Sequence, residues 1–310
     1  MSPRIVTLTV NPALDVAMDA SEVRPGHKIR TQGATYDPGG GGINISRVIH
    51  ALGGETLAVM AVGGPTGRFI EQLLADAGVP YRAVPVVGTT RISLTIRETS
   101  SGAEYRFVPE GALLKPSDIE DILSLLADLR ADWLVASGSL PPGFPADFYG
   151  RVARLAKREG FCFGLDTSGL ALEAALHKGV DLLKTSLSEF QSIAGTTSSE
   201  GEALAEHASR LAASGAASMI ALTLGDRGAI LAEPGRRIVQ PSPSVRVCSS
   251  VGAGDSFLAG LVLGLARRQT AEEALQLAIA AGAAAVTSRG TARVTQQQVE
   301  MFLADARAAA

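Results

Sequence analysis

Apolar runs of strand length recur along this chain and alternate with amphipathic stretches. The clearest runs cover 5–10, 57–62, 133–136, 161–165, 180–183 and 219–224. Helical periods cover 66–77, 116–129, 145–159 and 200–214. Continuous apolar runs are typical of strands buried on both faces of a parallel sheet. The alternation therefore predicts an α/β fold, with helices in layers on both faces of a mostly parallel sheet.

Two regions interrupt this alternation. Residues 91–97 alternate apolar and polar side chains, and after a turn at Ser101 and Gly102 a second such run covers 104–108, which predicts an antiparallel hairpin. The stretch 15–36 lacks a helical period and contains short β-like pieces. We expect a single domain over 1–310, with a small β-sheet lid formed by about 15–36 and 88–110. An exposed apolar sheet face favours pairing with a second copy, so a homodimer through the lid is expected.

Composition excludes several classes of protein. The chain has 310 residues with a net charge of -3, so no strong positive field attracts nucleic acid or an acidic membrane. No apolar segment reaches the ~18 residues of a membrane span, and the start lacks signal-peptide features. Two distant cysteines form neither a disulfide framework nor a zinc site. These features favour a soluble cytoplasmic protein with a small-molecule partner.

The strongest local motif is Val251-Gly-Ala-Gly-Asp-Ser256, which follows a β-like stretch at 245–248 and precedes a helical run. Backbone amides around Gly252, Ala253 and Gly254 would lie at a helix N-terminus, where they attract an anion. Asp255 would sit beside that anion and could accept a proton from an alcohol. Such a pairing suits phosphoryl transfer, although a glycine turn with a capping Asp is an equally frequent explanation of the pattern.

Two further motifs could hold a sugar. The glycine run at 39–42 permits close approach of a ligand, and Asn44 at the start of the next helix can bond hydroxyl groups. Asp15 follows the first strand, where ligands bind in open α/β sheets, although a turn-capping role is the alternative.

Basic residues cluster in the predicted lid: Lys28, Arg30, Arg91 and Arg106. If Lys28 and Arg30 lie on one strand, they face the same way and could bind one phosphate. A solvated surface cluster is the alternative explanation. At two other strand ends, 184–189 and 223–228, the sequence offers Glu189, which could orient water on a magnesium ion.

The chain contains no Gly-Lys-Ser or Gly-Lys-Thr of a P-loop and no dinucleotide-binding glycine motif. Instead, the motifs at 11–15, 39–44, 137–141, 166–169 and 251–256, in this order, resemble those of the PfkB (ribokinase-like) carbohydrate kinases nearly from end to end. Within that family the chain is most similar to the group of minor 6-phosphofructokinases, 1-phosphofructokinases and tagatose-6-phosphate kinases. The resemblance implies a three-layer αβα core, a β lid that pairs into a dimer, and ATP with Mg²⁺ as cofactors.

The resemblance also implies residue roles. Asp255 would be the base, with Gly252, Ala253 and Gly254 as the anion hole. The residues expected around the sugar phosphate are Asp15, Lys28, Arg30, Gly40, Gly41, Asn44, Arg91, Arg106 and Ser139. Those expected around ATP are Lys184, Ser186, Thr223, Gly225 and Gly228, with Glu189 bound to the metal through water.

Two departures from the family pattern matter. Ser186 stands where the family usually has Asn in an Asn-x-x-Glu motif, so we expect altered metal and nucleotide handling. The segment 288–290 differs near a monovalent-cation region of relatives, which leaves K⁺ dependence open. We expect fructose 6-phosphate as the substrate, with 1-phosphofructokinase or tagatose-6-phosphate kinase activity as alternatives. A non-catalytic sugar-phosphate sensor and a ribose or nucleoside kinase are less favoured.

Overall fold

The computed structural model describes residues 4–288 and 290–308. The strands, β1 to β13 in chain order, are Arg4–Thr9, Ala13–Ala20, Thr31–Gly39, Glu55–Val62, Tyr81–Pro85, Arg91–Glu98, Glu104–Phe107, Trp133–Ser137, Cys162–Asp166, Val180–Ser186, Ala217–Thr223, Ala229–Glu233 and Arg236–Gln240. The helices, α1 to α10, are Gly41–Ala51, Gly64–Asp76, Pro116–Asp128, Phe148–Glu159, Gly169–Leu176, Leu187–Ala194, Gly201–Ala213, Ala253–Ala266, Ala271–Thr287 and Gln296–Ala308. Among these described helices, none is both long and apolar enough to cross a membrane.

The main sheet has nine strands in the order β13-β12-β11-β10-β9-β8-β1-β4-β5. Strands β11 to β5 in this order are parallel, and β12 and β13 add an antiparallel edge. Neighbouring β1 side chains enter opposite layers: Val6 packs in a core with α4 and α7, whereas Ile5 packs in a core with α8 and α9. The predicted three-layer α/β fold is therefore confirmed.

A separate four-stranded sheet, the lid, has the order β3-β2-β6-β7. The predicted hairpin is its β6–β7 pair, which is antiparallel, and β2 joins it in parallel to β6. Leu14 and Val16 of the lid pack on Ile70 and Leu74 of α2. Because side chains alternate along a strand, Asp15, which lies between Leu14 and Val16 on β2, faces the other way, toward the end of the main sheet. The lid thus presents one polar face to the site.

Two local predictions were wrong. The structure has no strand at 21–30, so Lys28 and Arg30 lie in an exposed loop rather than on a shared strand face. Pro25 lacks a backbone N–H and Gly26 has a φ of 76°, which together favour a turn. The β-like stretch at 245–248 is also loop.

Candidate active site

Asp255 lies in the first turn of α8, where the helix begins after Gly252 with a φ of 79°. Its two carboxylate oxygens accept hydrogen bonds from different parts of the chain. The Asn44 amide nitrogen donates to Oδ2 at 2.9 Å, and the Ser137 hydroxyl donates to Oδ1 at 3.3 Å. Helix α1 and strand β8 therefore fix the orientation of a carboxylate at a helix N-terminus.

The anion hole expected at Gly252, Ala253 and Gly254 coincides with this N-terminus. The amide of Ala253 donates to the carbonyl of Ser250 at 3.3 Å, which closes the turn before the helix. A Cβ added at Gly254 would lie 2.8 Å from the Lys184 ammonium nitrogen. Lys184 therefore stands directly against the first turn of α8, and a positive charge joins the helix dipole there.

The glycine run brackets the site at very short range. A Cβ at Gly39 would overlap the Asp15 carboxyl, and one at Gly41 would overlap the Ser137 hydroxyl and come within 2.9 Å of Asp255 Oδ1. Gly40, with a φ of 114°, precedes α1 as its N-cap. Glycine is required here because a side chain would displace the functional groups themselves.

Lys184 and Asp166 form a buried ion pair at the ends of β10 and β9. The Lys184 ammonium lies 3.2 and 3.1 Å from the two Asp166 carboxylate oxygens. Burial raises the pKa of Asp166, against the effect of the neighbouring Lys184. Burial alone would lower the pKa of Lys184, but the carboxylates of Asp166 and Asp255 hold it above its ordinary value. The lysine is therefore a fixed cation between two carboxylates, beside the first turn of α8.

Asp15 lies on β2, on the lid face that turns toward this helix end. It accepts a hydrogen bond from the Thr291 hydroxyl at 3.1 Å. Burial raises its pKa to about 6, and the nearby Asp37 adds to the rise, whereas Thr291, Arg106 and Arg47 oppose it. A carboxylate of this kind can accept bonds from sugar hydroxyls, and these bonds are stronger in its ionised form.

Arg91 and Ser139 line an open cleft beside Asp15. The Arg91 guanidinium donates to the carbonyls of Pro109 at 2.7 Å and Asn11 at 2.9 Å. Burial lowers the pKa of Arg91, and the charge of Asp15 opposes this effect. Ser139 accepts a bond from the Asn11 amide at 3.3 Å. The cleft could therefore hold an anionic group between the Arg91 guanidinium and the Ser139 hydroxyl.

Lys28 and Arg30 do not join this cleft within one chain. Arg91 pairs with Ala13 at one end of β2, whereas the loop that carries Lys28 and Arg30 joins the other end, at Ala20. Seven residue steps of strand separate the two ends by roughly 20 Å. The structure therefore brings Arg91 and Arg106 close to Asp15, but not the loop pair.

The predicted nucleotide residues lie along the ends of β10 and β11. Ser186 and Thr223 are register partners on these parallel strands. Gly225 begins a short 3₁₀ turn that ends before Gly228. A Cβ at Gly228 would overlap the carbonyl of Gln240, so backbone packing alone explains a glycine at that position.

Ser186 and Glu189 form a capping box at the start of α6. The Glu189 carboxylate accepts bonds from the Ser186 backbone N–H at 2.8 Å and from its hydroxyl at 2.7 Å. Ser186 is thus the N-cap of α6, a position that Asn also fills well. The helix therefore begins at a suitable residue despite the departure from the family motif.

A model of the pfkB family carbohydrate kinases matches residues 9–298. The chain belongs to this family. It is 42% identical over 303 residues to the ATP-dependent 6-phosphofructokinase isozyme 2 of Mycobacterium tuberculosis, covering 97% of this chain and 89% of the relative. It is 30% identical to the 1-phosphofructokinase of Bacillus subtilis, covering 94% of this chain and 96% of the relative.

Solved structures give the same result. Phosphofructokinase-2 of Escherichia coli in complex with fructose-6-phosphate superposes with a TM-score of 0.93 at 32% identity, covering 98% of this chain and 99% of the other. The same E. coli protein has also been solved in complex with potassium and in a tetrameric inhibited form. This PfkB kinase is therefore a phosphotransferase with an alcohol group as acceptor.

A kinase of this family implies ATP and a divalent metal. Within 4–288 and 290–308, no three Asp, Glu, His or Cys side chains come together as a metal site. A metal held mainly by phosphate oxygens and water, with Glu189 nearby, fits this sparse set. The segment 288–290 expected to influence potassium contains Arg289, which lies outside the described residues.

Several residues around Asp255 received no role from the sequence. Ser137 and Asp166 open two of the family motifs and directly follow predicted strands, so the strand-end rule that singled out Asp15 could have given them one. Asp37 preceded the glycine run without receiving a role. Arg47 and Thr291 carried no local signal, because a single arginine on a helix and a threonine in a loop are common everywhere.

Proposed function

We propose that this PfkB kinase transfers the γ-phosphoryl group of ATP to the 1-hydroxyl of fructose 6-phosphate, giving fructose 1,6-bisphosphate and ADP. The observation that carries the proposal is the position of Asp255. It lies at a helix N-terminus, held by Asn44 and Ser137, with the Lys184 ammonium against the same helical turn. A proton acceptor and a phosphate-binding group thus occupy one place.

In the proposed step, Asp255 takes the proton of the acceptor hydroxyl as its oxygen attacks the γ-phosphorus. The bond from that phosphorus to the bridging oxygen breaks, and ADP leaves. The N-terminal amides of α8 and Lys184 stabilise the charge on the transferred group. Asp15, Gly40, Gly41 and Asn44 hold sugar hydroxyls, while Ser186, Thr223, Gly225 and Gly228 border the nucleotide.

A phosphorylated ketose is favoured over ribose or a nucleoside because the lid carries cations beside Asp15, the carboxylate proposed to bind the sugar. Arg91 lines the cleft with Ser139, and Arg106 is near enough to lower the pKa of Asp15. The E. coli neighbour binds fructose-6-phosphate. Fructose 1-phosphate is the second candidate substrate, since the similar B. subtilis protein is a 1-phosphofructokinase.

We further propose that Lys28 and Arg30 bind the sugar phosphate from a second copy of the chain, within a cytoplasmic homodimer formed through the lids. Their loop is anchored, since the Val23 N–H donates to the Glu98 carboxylate at 2.6 Å, and both side chains are exposed. Apolar lid residues such as Ile92 and Phe107, 41% and 53% exposed, offer a surface for the second lid. Mg²⁺ would accompany ATP, with Glu189 contacting it through water.

The test is ADP release with Mg-ATP across fructose 6-phosphate, fructose 1-phosphate, tagatose 6-phosphate, ribose and adenosine. We expect the highest kcat/KM for fructose 6-phosphate. A preference for another ketose phosphate would keep the mechanism and change the substrate. Tight binding of sugar phosphates without turnover would overturn the kinase assignment in favour of a sensor.

A further inference from the structure

Arg47 lies one helical turn after Asn44 on α1, and its guanidinium is enclosed by the loops around the site. Its side chain is 15% exposed, compared with 47% for Arg293, the other arginine paired with Asp37. Arg47 Nη1 donates to the carbonyl of Thr291 at 2.9 Å and is 3.4 Å from the carbonyl of Pro38. Nη2 pairs with Asp37 at 3.3 Å. One buried guanidinium thus joins α1, β3 and the loop after α9.

The same guanidinium bears on the orientation of the Asn44 amide. Arg47 Nη1 donates to Asn44 Oδ1 at 3.4 Å, and the Asn44 nitrogen donates to Asp255 at 2.9 Å. An amide has a donor end and an acceptor end, and a guanidinium can only donate. If Asn44 were flipped, its NH₂ group would face the Arg47 donor and its carbonyl oxygen would face the Asp255 carboxylate, and neither hydrogen bond could form. Arg47 therefore favours the one orientation in which Asn44 supports the base.

Arg47 is also connected to Asp15, through Thr291. Arg47 holds the carbonyl of Thr291, and the hydroxyl of the same residue donates to Asp15 at 3.1 Å. The backbone N–H of Thr291 also bonds Asp37 at 3.3 Å, which is the carboxylate that Arg47 pairs with. Displacement of Arg47 would remove the bond to the Thr291 carbonyl and one of the two arginine partners of Asp37 and, through the Thr291 hydroxyl, alter Asp15.

We propose that Arg47 is a positioning residue for the kinase reaction: it touches neither substrate, but fixes Asn44 against Asp255 and Thr291 against Asp15. This proposal rests on the function proposed above. The proposal assigns to one side chain an effect on both the base, Asp255, and the sugar ligand, Asp15. These two residues are 240 positions apart in the sequence. Loss of this effect should change both kcat and the KM for sugar.

Arg293 provides a matched control. It donates to the same Asp37 carboxylate at 3.1 and 3.2 Å, from a more exposed position. Within the described part of the chain, its hydrogen bonds all go to Asp37. The two arginines therefore share one anion, whereas the bonds to Asn44 and Thr291 belong to Arg47.

The experiment compares Arg47→Lys with Arg293→Lys. Each keeps a positive charge beside Asp37, but a lysine at position 47 cannot reproduce the fork that reaches Thr291, Pro38 and Asn44 together. For Arg47→Lys we expect kcat to fall about tenfold or more and the KM for fructose 6-phosphate to rise about tenfold, since small displacements of catalytic groups cost up to about 100-fold. The KM for ATP should stay within about twofold of wild type, and Arg293→Lys within about twofold in every parameter.

Three results would overturn the proposal. The first is a kcat and sugar KM within twofold of wild type in Arg47→Lys, and the second is an equal loss in Arg293→Lys, which would assign the effect to charge at Asp37 alone. The third is a fall in kcat with both KM values unchanged and fewer active sites by titration, which would reduce Arg47 to a stability role. If Arg47→Lys does not fold, Arg47→Gln enters the same comparison.

The substrate assignment can fail separately. A wild-type enzyme inactive on fructose 6-phosphate, but active on another ketose phosphate, would overturn that assignment. The Arg47 comparison would then be made on the sugar that is used, with the same expected changes. Calorimetric dissociation constants for that sugar provide a readout without turnover: Arg47→Lys should weaken binding, and Arg293→Lys should not.

Discussion

The two halves of the proposed sugar site differ in how complete they are within one chain. Around Asp255, the proposed base, Asn44 of α1 and Ser137 of β8 donate to both carboxylate oxygens, and β9 and β10 supply an ion pair beside it. On the phosphate side, Arg91 donates to backbone carbonyls, while Lys28 and Arg30 lie exposed on the far end of the lid. The proposed chemistry uses groups of a single chain, whereas the proposed phosphate site would be completed by a second copy.

The largest effect should come from breaking the complete half. We expect Asp255→Asn to lower kcat by about 1,000-fold or more, because it removes the proton acceptor, while the KM for sugar changes little. Steady-state ADP release measures both. Asp121→Asn, on the exposed face of α3, makes the same chemical change away from the site and should leave the rate unaltered. A rate for Asp255→Asn within tenfold of wild type would contradict the base assignment.

On the phosphate side, we expect a substitution to change the KM for sugar rather than kcat. Lys28→Ala is expected to raise the KM for fructose 6-phosphate by about 10- to 100-fold with little change in kcat, since it removes a charge-assisted contact to phosphate. Turnover of unphosphorylated fructose should be unchanged. Equal losses on both sugars would mean that Lys28 supports the fold of the lid rather than the phosphate.

Mixing subunits of these two variants makes this comparison sharper. If Lys28 acts across the interface, a Lys28→Ala subunit still has its own Asp255 and can receive Lys28 from an Asp255→Asn partner. Equal mixing should then restore high-affinity activity to about a quarter of the sites, from random pairing into two-fold dimers. No recovery after unfolding and refolding the mixture would place Lys28 in its own chain's site or outside any site.

Acidic pH should affect the two halves unequally. Asp15 has a pKa raised to about 6, so it is increasingly protonated below that pH and loses the charge that strengthens its hydrogen bonds from sugar hydroxyls. We expect the KM for sugar to rise about tenfold from pH 7 to pH 5, with the KM for ATP far less affected. Because the folded pKa lies above the ordinary value, ionising Asp15 destabilises the fold as pH rises. Asp15→Asn should accordingly raise the midpoint temperature of thermal unfolding more at pH 8 than at pH 5.

The smallest effect is expected at Ser186. Ser186→Asn restores the amide of the family motif and keeps an efficient N-cap for α6. We expect the KM for Mg-ATP to fall by about two- to threefold with the sugar KM unchanged, since one added hydrogen bond to phosphate or its water contributes little in solvent. A tenfold change in kcat would indicate a direct catalytic role.

The sequence predicted best what depends on neighbouring residues. The strands at 57–62 and 133–136 and the turn at Gly252 follow from local periodicity and glycine chemistry, and each was found near its observed bounds. The shared strand for Lys28 and Arg30 was wrong because Pro25 and Gly26 form a turn in a stretch that otherwise looks extended.

Contacts between distant segments were beyond prediction from the sequence. The Asn44 amide meets Asp255 across 211 positions, and Arg47 meets Thr291 across 244. Each side chain has ordinary local surroundings, and only the packing of α1 against α8 and against the loop after α9 selects the partner. Isolated polar residues on buried helix faces are therefore where a structure adds most to the sequence.

The separation of Asn44 and Asp255 also has a consequence for synthesis on the ribosome. The lid strands, the glycine run and Asn44 all emerge before residue 110, whereas α8 begins at Ala253 and leaves the exit tunnel only near the end of translation. A nascent chain therefore leaves uncovered the face of its main sheet on which α8 and α9 pack, and lacks Asp255, until its final fifth appears. Premature termination would release a chain without one helical layer and without the proposed base.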